Sequence, residues 1–224
     1  MKLIVGVPVK NDLESLEEMI VSLYESTKME YTIVFVVGEG CNQETIDYIT
    51  DLPFRQGVSV LIPKIRTKTP LEAYNYLFNY AKEQKCDLFV TQTDVLFSRL
   101  YKRDWLGIMH QLAQNSEIGA ITCINGTGVS GQDYINGLEW LGGHCTYYPF
   151  RTLEMIGGYD SEFPNGYGVD IDYTYRIVKS GLKVVKINYW VDHHMMNERL
   201  HDNHPNTEQM KQESAKYFKR KWKL

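Results

Sequence analysis

Hydrophobic positions along this chain keep two alternating rhythms. Short, nearly continuous apolar runs at residues 2–7, 31–37, 58–62, 87–91, 118–124 and 182–189 have the length and β-branched content of buried strands. Between them the spacing lengthens to that of helices. Leu13, Leu16, Ile20 and Leu23 follow Asn11 or Asp12 as N-cap, Leu71, Tyr74, Phe78 and Ala81 share one stripe, and Trp105, Ile108, Met109 and Leu112 share another. The run Thr-Ile-Val-Phe-Val-Val at 32–37 is apolar on both faces, as in a parallel sheet covered by helices on each side. Strands alternating with helical patterns predict an α/β fold with a mostly parallel, doubly wound central sheet.

Local signals set the boundaries. Thr69-Pro70-Leu71-Glu72 combines a capping threonine, a first-turn proline and a glutamate three residues on, predicting a helix over 70–82. Gly157-Gly158 ends a short helix at 151–156, and Gly181 stops another over 170–180. Asn206-Thr207-Glu208-Gln209 has the form of a second capping box, opening a final helix with Met210, Tyr217, Phe218 and Trp222. Residues 126–143 are glycine-rich and without clear period, which predicts a long functional loop or a short meander.

At 224 residues this is the length of one domain. Its expected parts are 1–124, 125–205 with a smaller acceptor-side region, and a basic-aromatic helix at 206–224. A net charge of −4 argues against a surface that attracts polyanions as a whole. Sixteen tyrosines suit a protein that handles polyhydroxylated or planar ligands. Cys41, Cys86, Cys123 and Cys145 form no CxxC, so neither a zinc knuckle nor a disulfide framework is indicated. The chain opens directly into a strand without a basic leader, and no apolar run approaches the ~20 residues that span a bilayer. The expectation is a soluble, cytoplasmic protein.

Candidate chemistry begins at Gln92-Thr93-Asp94, just past the strand at 87–91, where open α/β sheets bind ligands. Asp94 suits either a metal site or the cap of the following turn. Pro8-Val9-Lys10-Asn11 follows the first strand, Glu39 the second, and Gly158-Tyr159-Asp160 through Asp170-Ile171-Asp172 comes later, with Arg176 behind. Taken together, from about residue 4 to 194, these pieces resemble family 2 glycosyltransferases of the GT-A fold.

The resemblance implies roles. Val7-Pro8-Val9-Lys10-Asn11 is similar to the turn that lies against the nucleotide base, and Glu39 stands near the acidic nucleoside contact, although Gly-Glu-Gly-Cys replaces the usual Asp-Asp-Gly-Ser. Asn75 would approach the diphosphate or ribose. Gln92-Thr93-Asp94 occupies the Asp-x-Asp position, with Gln92 bringing no charge, so Asp94 alone is the anionic ligand there. Trp190-Val191-Asp192-His193-His194 resembles the step after the last strand where a histidine closes the metal site. On that match His193 is favoured with His194 close behind, and only one of the two is expected to reach the ion, since adjacent strand residues point to opposite faces. The implied cofactor is Mn²⁺ or Mg²⁺, and imidazole suits Mn²⁺ better.

Gly168-Val169-Asp170-Ile171-Asp172 looks like the acceptor-side motif, with Val169 in place of its glutamate and Asp170 as its catalytic carboxylate. An acceptor hydroxyl must lose a proton as it attacks, so a carboxylate base is needed, and an in-line base implies inversion by single displacement. At a helix start Asp170 is expected to stay ionised. Asp172 faces elsewhere and is expected to orient Arg176 or the loop before it; with Asp160 and Trp140 it completes the acceptor-side candidates.

The implied donor is a nucleotide-diphosphate sugar, UDP-sugars favoured, from which a hexose or pentose is moved to a glycan, a protein or a modified nucleic acid. Residues 126–143 and His201-Asp202-Asn203-His204 are candidates to line the acceptor site, and Tyr147 and Tyr148 suit either sugar stacking or the core. The terminal run Lys216 to Lys223 suits a membrane surface, a polyanionic acceptor or a solvated helix face. A nucleotidyltransferase shares fold and metal but opens with a Gly-rich, Arg-Lys phosphate loop that Pro8-Val9-Lys10-Asn11 is not. A binding module without catalysis is the third reading, raised by Gln92 and Val169.

Overall fold

The computed structural model describes residues 3–52, 55–98, 104–129, 131–193 and 206–224. Strand β1 (Leu3–Val9) pairs in parallel with β2 (Tyr31–Val37), which pairs in parallel with β3 (Val58–Leu61). Helices α1 (Leu13–Ser26), α2 (Gln43–Thr50) and α3 (Pro70–Glu83) make the crossovers, and β4 (Asp87–Thr91) lies parallel on the other side of β1. Next come β5 (Val95–Phe97), α4 (Trp105–Leu112) and β6 (Ile118–Ile124).

In the second half a hairpin, β7 (Thr127–Val129) and β8 (Glu139–Leu141), precedes β9 (Cys145–Tyr148), α5 (Phe150–Ile156) and a 3-10 turn at Pro164–Gly166. Then follow α6 (Val169–Lys179), β10 (Lys183–His193) and α7 (Thr207–Trp222). The main sheet has the order β3-β2-β1-β4-β9-β6-β10-β5. Only β9 and β5 run against the rest. The chain's second half therefore threads into the first, because β9 sits between β4 and β6.

Strand alternation sends residues to two cores. Val5, Val7, Ile33, Phe35 and Phe89 pack under Leu16, Met19, Ile20 and Leu23 of α1 and Trp105 and Met109 of α4. On the opposite face Ile4, Val34, Val36, Leu88 and Val90 pack under Tyr74, Leu77, Phe78 and Ala81 of α3 and Tyr173 and Ile177 of α6. Burying each large side chain contributes about 1.5–3 kcal/mol. Gly6 lets α3 approach: a Cβ there would stand 2.8 Å from the Leu77 methyls.

Several expectations shift in detail. The α3 cap forms, with Glu72 N donating to Thr69 Oγ1 at 3.2 Å, but the Glu72 carboxylate accepts from Lys68 N rather than from Thr69 N. Asn206 makes no side-chain cap bond, so the second capping box is not formed. The stretch 126–143 is the β7–β8 hairpin with its tip. Helix α7 turns Phe218, fully buried, onto Phe163 and Ile171, with Tyr134, Trp140, Tyr175 and Trp222 around them. Among the described residues, no helix is long and apolar enough to cross a membrane.

Candidate active site

Loops from the carboxyl ends of β1 and β2 lock together. Asn11 donates to Gly40 O at 3.1 Å and accepts from Asn42 N at 2.6 Å, while Gly38 N donates to Val9 O at 2.8 Å and Glu39 N to Thr67 O at 2.7 Å. Lys10, Asn11 and Glu39 are exposed on this edge and Pro8 is half-buried. Val9 needs correction as a ligand contact: its side chain is in the core, 3% exposed, and its carbonyl is taken by Gly38.

Asp94 leaves β4 and leads directly into β5. That three-residue strand pairs antiparallel with β10, setting His193 opposite Val95 and Asp192 opposite Leu96. Two segments about a hundred residues apart are thereby aligned. The consequence is a His193 Nε2 to Asp94 Oδ2 distance of 3.4 Å. Asp94 is nearly buried at 5% exposure, and Thr93 beside it is also buried. His194 lies outside the described residues, as does the segment 201–204.

Gln92 is held at both ends. Its amide donates to Tyr74 Oη at 2.8 Å, Tyr74 donates to Gly143 O at 3.1 Å, and Gln92 Oε1 faces His193 Nε2 at 3.2 Å. Tyr74 thus braces the site from α3. Burial comes first among the forces raising its phenol, and the charges of both Asp94 and Asp170 add to it.

His144 was not singled out by sequence. Its ring stacks on His193 with centroids 4.4 Å apart and planes 1° apart, and its Nε2 lies 2.8 Å from Asn125 O. Burial, then the neighbouring His193, depress it to about 4, so it is neutral at pH 7. No short-range pattern marks His144; only the strand-like Cys-Thr-Tyr-Tyr after it was a clue.

Asp170 starts α6 half-buried, with Oδ1 accepting from Ile171 N at 2.9 Å. Desolvation raises its carboxyl to about 6, outweighing the backbone hydrogen bonds that lower it. Burial therefore overrides the expected help from the helix start. Asp172 is corrected as an acceptor contact. It is fully buried and receives Arg176 Nε at 3.0 Å, Lys221 Nζ at 2.8 Å and Trp222 Nε1 at 2.9 Å. Its expected hold on Arg176 is present.

Asp160 is similarly engaged by Tyr217 Oη at 2.9 Å and Lys221 Nζ at 2.8 Å. Burial acts to raise this carboxyl, but Lys221 and the other donors prevail and lower it. Asn75 Nδ2 donates to Tyr159 O at 3.1 Å and so ties α3 to the loop after α5. Trp140 is half-buried with its ring against Gly128, and Tyr147 and Tyr148 are core.

Among the described residues no group of three or more His, Cys, Asp and Glu is arranged to hold a metal. Asp94 and His193 are a pair, and the pair fits one. Neighbouring ligands of an octahedral ion with bonds of ~2.1 Å lie ~3 Å apart, close to the 3.4 Å here. The carboxylate and imidazole donors suit Mn²⁺.

The sequence matches no protein-family model and no curated protein. Solved structures supply the likeness, and they define a GT-A fold. The Pyrobaculum calidifontis mannosyltransferase PcManGT, in complex with GDP-Man and Mn²⁺, aligns with a TM-score of 0.60 at 16% identity, over 84% of this chain and 55% of that one. GalNAc-T7 with UDP, GalNAc and Mn²⁺ aligns with a TM-score of 0.65 at 12% identity, over 86% and 44%. This chain thus spans about half the length of these glycosyltransferases. The UDP-glucose pyrophosphorylase of Acinetobacter baumanii aligns with a TM-score of 0.56 at 12% identity over 99% of both chains.

Proposed function

We propose that this chain is a metal-dependent glycosyltransferase that moves a sugar from a nucleotide-diphosphate sugar, with UDP-sugars the first candidates, to an acceptor hydroxyl. What carries the reading is the Asp94–His193 pair at 3.4 Å, with Gln92 held between His193 and Tyr74, beside which stands the half-buried carboxylate of Asp170 at the start of α6 as the candidate base. Asp94 and His193 would hold Mn²⁺ or Mg²⁺, which supplies positive charge against the departing diphosphate. Asp170, lifted to about 6, is matched to accept a proton near neutrality. As the acceptor oxygen bonds to the anomeric carbon, its proton passes to Asp170 and the bond from that carbon to the diphosphate oxygen breaks. Attack from that side inverts the anomeric centre.

UDP-, GDP- and dTDP-sugars are to be screened with Mn²⁺ for thermal shift and for nucleoside diphosphate release. The expected result is turnover that EDTA abolishes and that Asp94→Ala reduces at least a hundredfold. Turnover indifferent to both would refute the reading. NMR of the product that found the donor's own anomer would remove Asp170 as an in-line base.

A further inference from the structure

The short ladder that aligns Asp94 with His193 has a second face. Along β10 the burial alternates: Ile187, Tyr189 and Val191 enter the core, while Asn188, Trp190 and Asp192 are exposed. Leu96 of β5 stands opposite Asp192, and Ser98, two residues on, belongs to the same face. His193 and Val95 take the other face. Trp190, Asp192, Leu96 and Ser98 open, together with Glu18 and Ser22 of α1, onto one cleft of about 470 Å³. That lies within the ~300–1,000 Å³ of small-molecule sites.

The walls of this cleft are fixed. Ser22 Oγ donates to Met19 O at 2.9 Å and accepts from Phe97 N at 3.1 Å, stitching the outer edge of β5 to α1. Tyr189 Oη donates to Ser98 O at 2.8 Å and ties the end of β5 back to β10. Glu18 is one helical turn before Ser22 and so shares its side of α1. Trp190 is 47% exposed, and among the described residues the other large apolar side chains left this open are not aromatic.

The lining selects its occupant. Among the described residues it carries two carboxylates, Glu18 and Asp192, and no cation, so it repels phosphates and other polyanions. An indole offers a flat apolar face, and an ionised carboxylate can only accept hydrogen bonds. A pyranose meets both demands, because its C–H face lies on the ring while its hydroxyls donate to the carboxylates. We propose that this cleft binds a neutral pyranose unit of a glycan, as a carbohydrate site separate from Asp94 and His193. It stands independently of the proposed transfer chemistry.

Saturation-transfer NMR with maltotriose, cellotriose, chitotriose and mannotriose, without donor or metal, tests this on wild type and on variants checked for an unchanged melting temperature. At least one trisaccharide is expected to bind. Trp190→Ala should weaken that binding about tenfold, Trp190→Tyr, which keeps a flat ring, less than about threefold, and Asp192→Asn and Glu18→Gln about threefold each. Asp94→Ala should leave it unchanged. Binding of none of the four, binding indifferent to Trp190→Ala, or binding lost in Asp94→Ala would overturn the proposal. So would tetramethylammonium binding more tightly than any trisaccharide and depending on Trp190, since the cleft would then be a cation site.

Discussion

Replacing Asp170 by asparagine separates the electrostatic cost of this residue from its chemistry. Burial lifts the carboxyl from 3.8 to about 6, and at 1.36 kcal/mol per pH unit the difference amounts to about 3 kcal/mol. A raised value means that the folded protein holds this proton more tightly than the unfolded chain does. The stabilisation is complete below the unfolded value and is lost as pH rises through the folded one. From about pH 4 to pH 7 the wild type should lose about 1–3 kcal/mol relative to Asp170→Asn, the range allowing for solvent screening at a half-buried group. Urea unfolding of both proteins at half-unit pH steps gives the difference directly. The helix start pulls the other way, so the sign of the slope decides between the two forces. A flat difference would show that the carboxyl titrates alike in both states, and a reversed slope that the backbone wins; either refutes the argument. In turnover, the same group should give an acid limb with a midpoint near 6, and the asparagine variant a loss of about 10²–10⁴-fold.

Lys221→Met should destabilise by about 2–4 kcal/mol in denaturant melts, because it strips a cation from the fully buried Asp172. Adding Asp172→Asn should recover part of that loss; a single variant within 0.5 kcal/mol of wild type, on the order of an ordinary surface change, would deny the latch. His144→Ala should weaken Mn²⁺ affinity about tenfold in a titration by calorimetry, since His193 loses the ring that orients it. His144→Phe, which keeps a stacking face, should lose much less, and equal losses in the two variants would point away from stacking.

The parallel half of the sheet was legible because each strand there is a continuous apolar run and each helix carries its own stripe or cap. Val95–Phe97 and Cys145–Tyr148 were not expected as strands, and α2 was not expected as a helix. A three-residue strand has too few positions to show a period, and its existence rests on pairing with β10. That short ladder is nevertheless what brings Asp94 to His193. The proposed pair, Asp94 and His193, was thus expected as residue types past strand ends, while their neighbours Tyr74 and His144 come from contacts distant in sequence. Asp160 and Asp172 were expected on the acceptor side because residues 157–176 resemble the family's acceptor-side motif, with Asp172 also expected to orient Arg176, as it does. Their actual neighbours, Lys221 and Trp222, lie about fifty residues away.

Fold alone does not choose between glycosyl and nucleotidyl transfer, because a pyrophosphorylase aligns over the whole chain as readily as the glycosyltransferases do over most of it. The turn after β1 discriminates better. Attack on a nucleotide's α-phosphate needs a loop of free backbone N–H groups and cations to cradle the triphosphate. Here only three residues, Lys10 to Asp12, join β1 to α1, and the Asn11 side chain is committed to Gly40 and Asn42. Asp12 N is used too, donating to Lys10 O at 3.2 Å. A turn stitched that tightly to the next loop has no span left to wrap phosphates. Under the proposed glycosyl transfer Asp170 would serve as the acceptor's base, its carboxyl raised by burial to about 6. Lengthening the turn by a Gly-Gly insertion after Lys10 should therefore weaken donor binding without creating a triphosphate site, as thermal shifts with a UDP-sugar and with UTP would register. Stabilisation of the native chain by UTP well beyond that by any nucleotide sugar would favour nucleotidyl transfer instead.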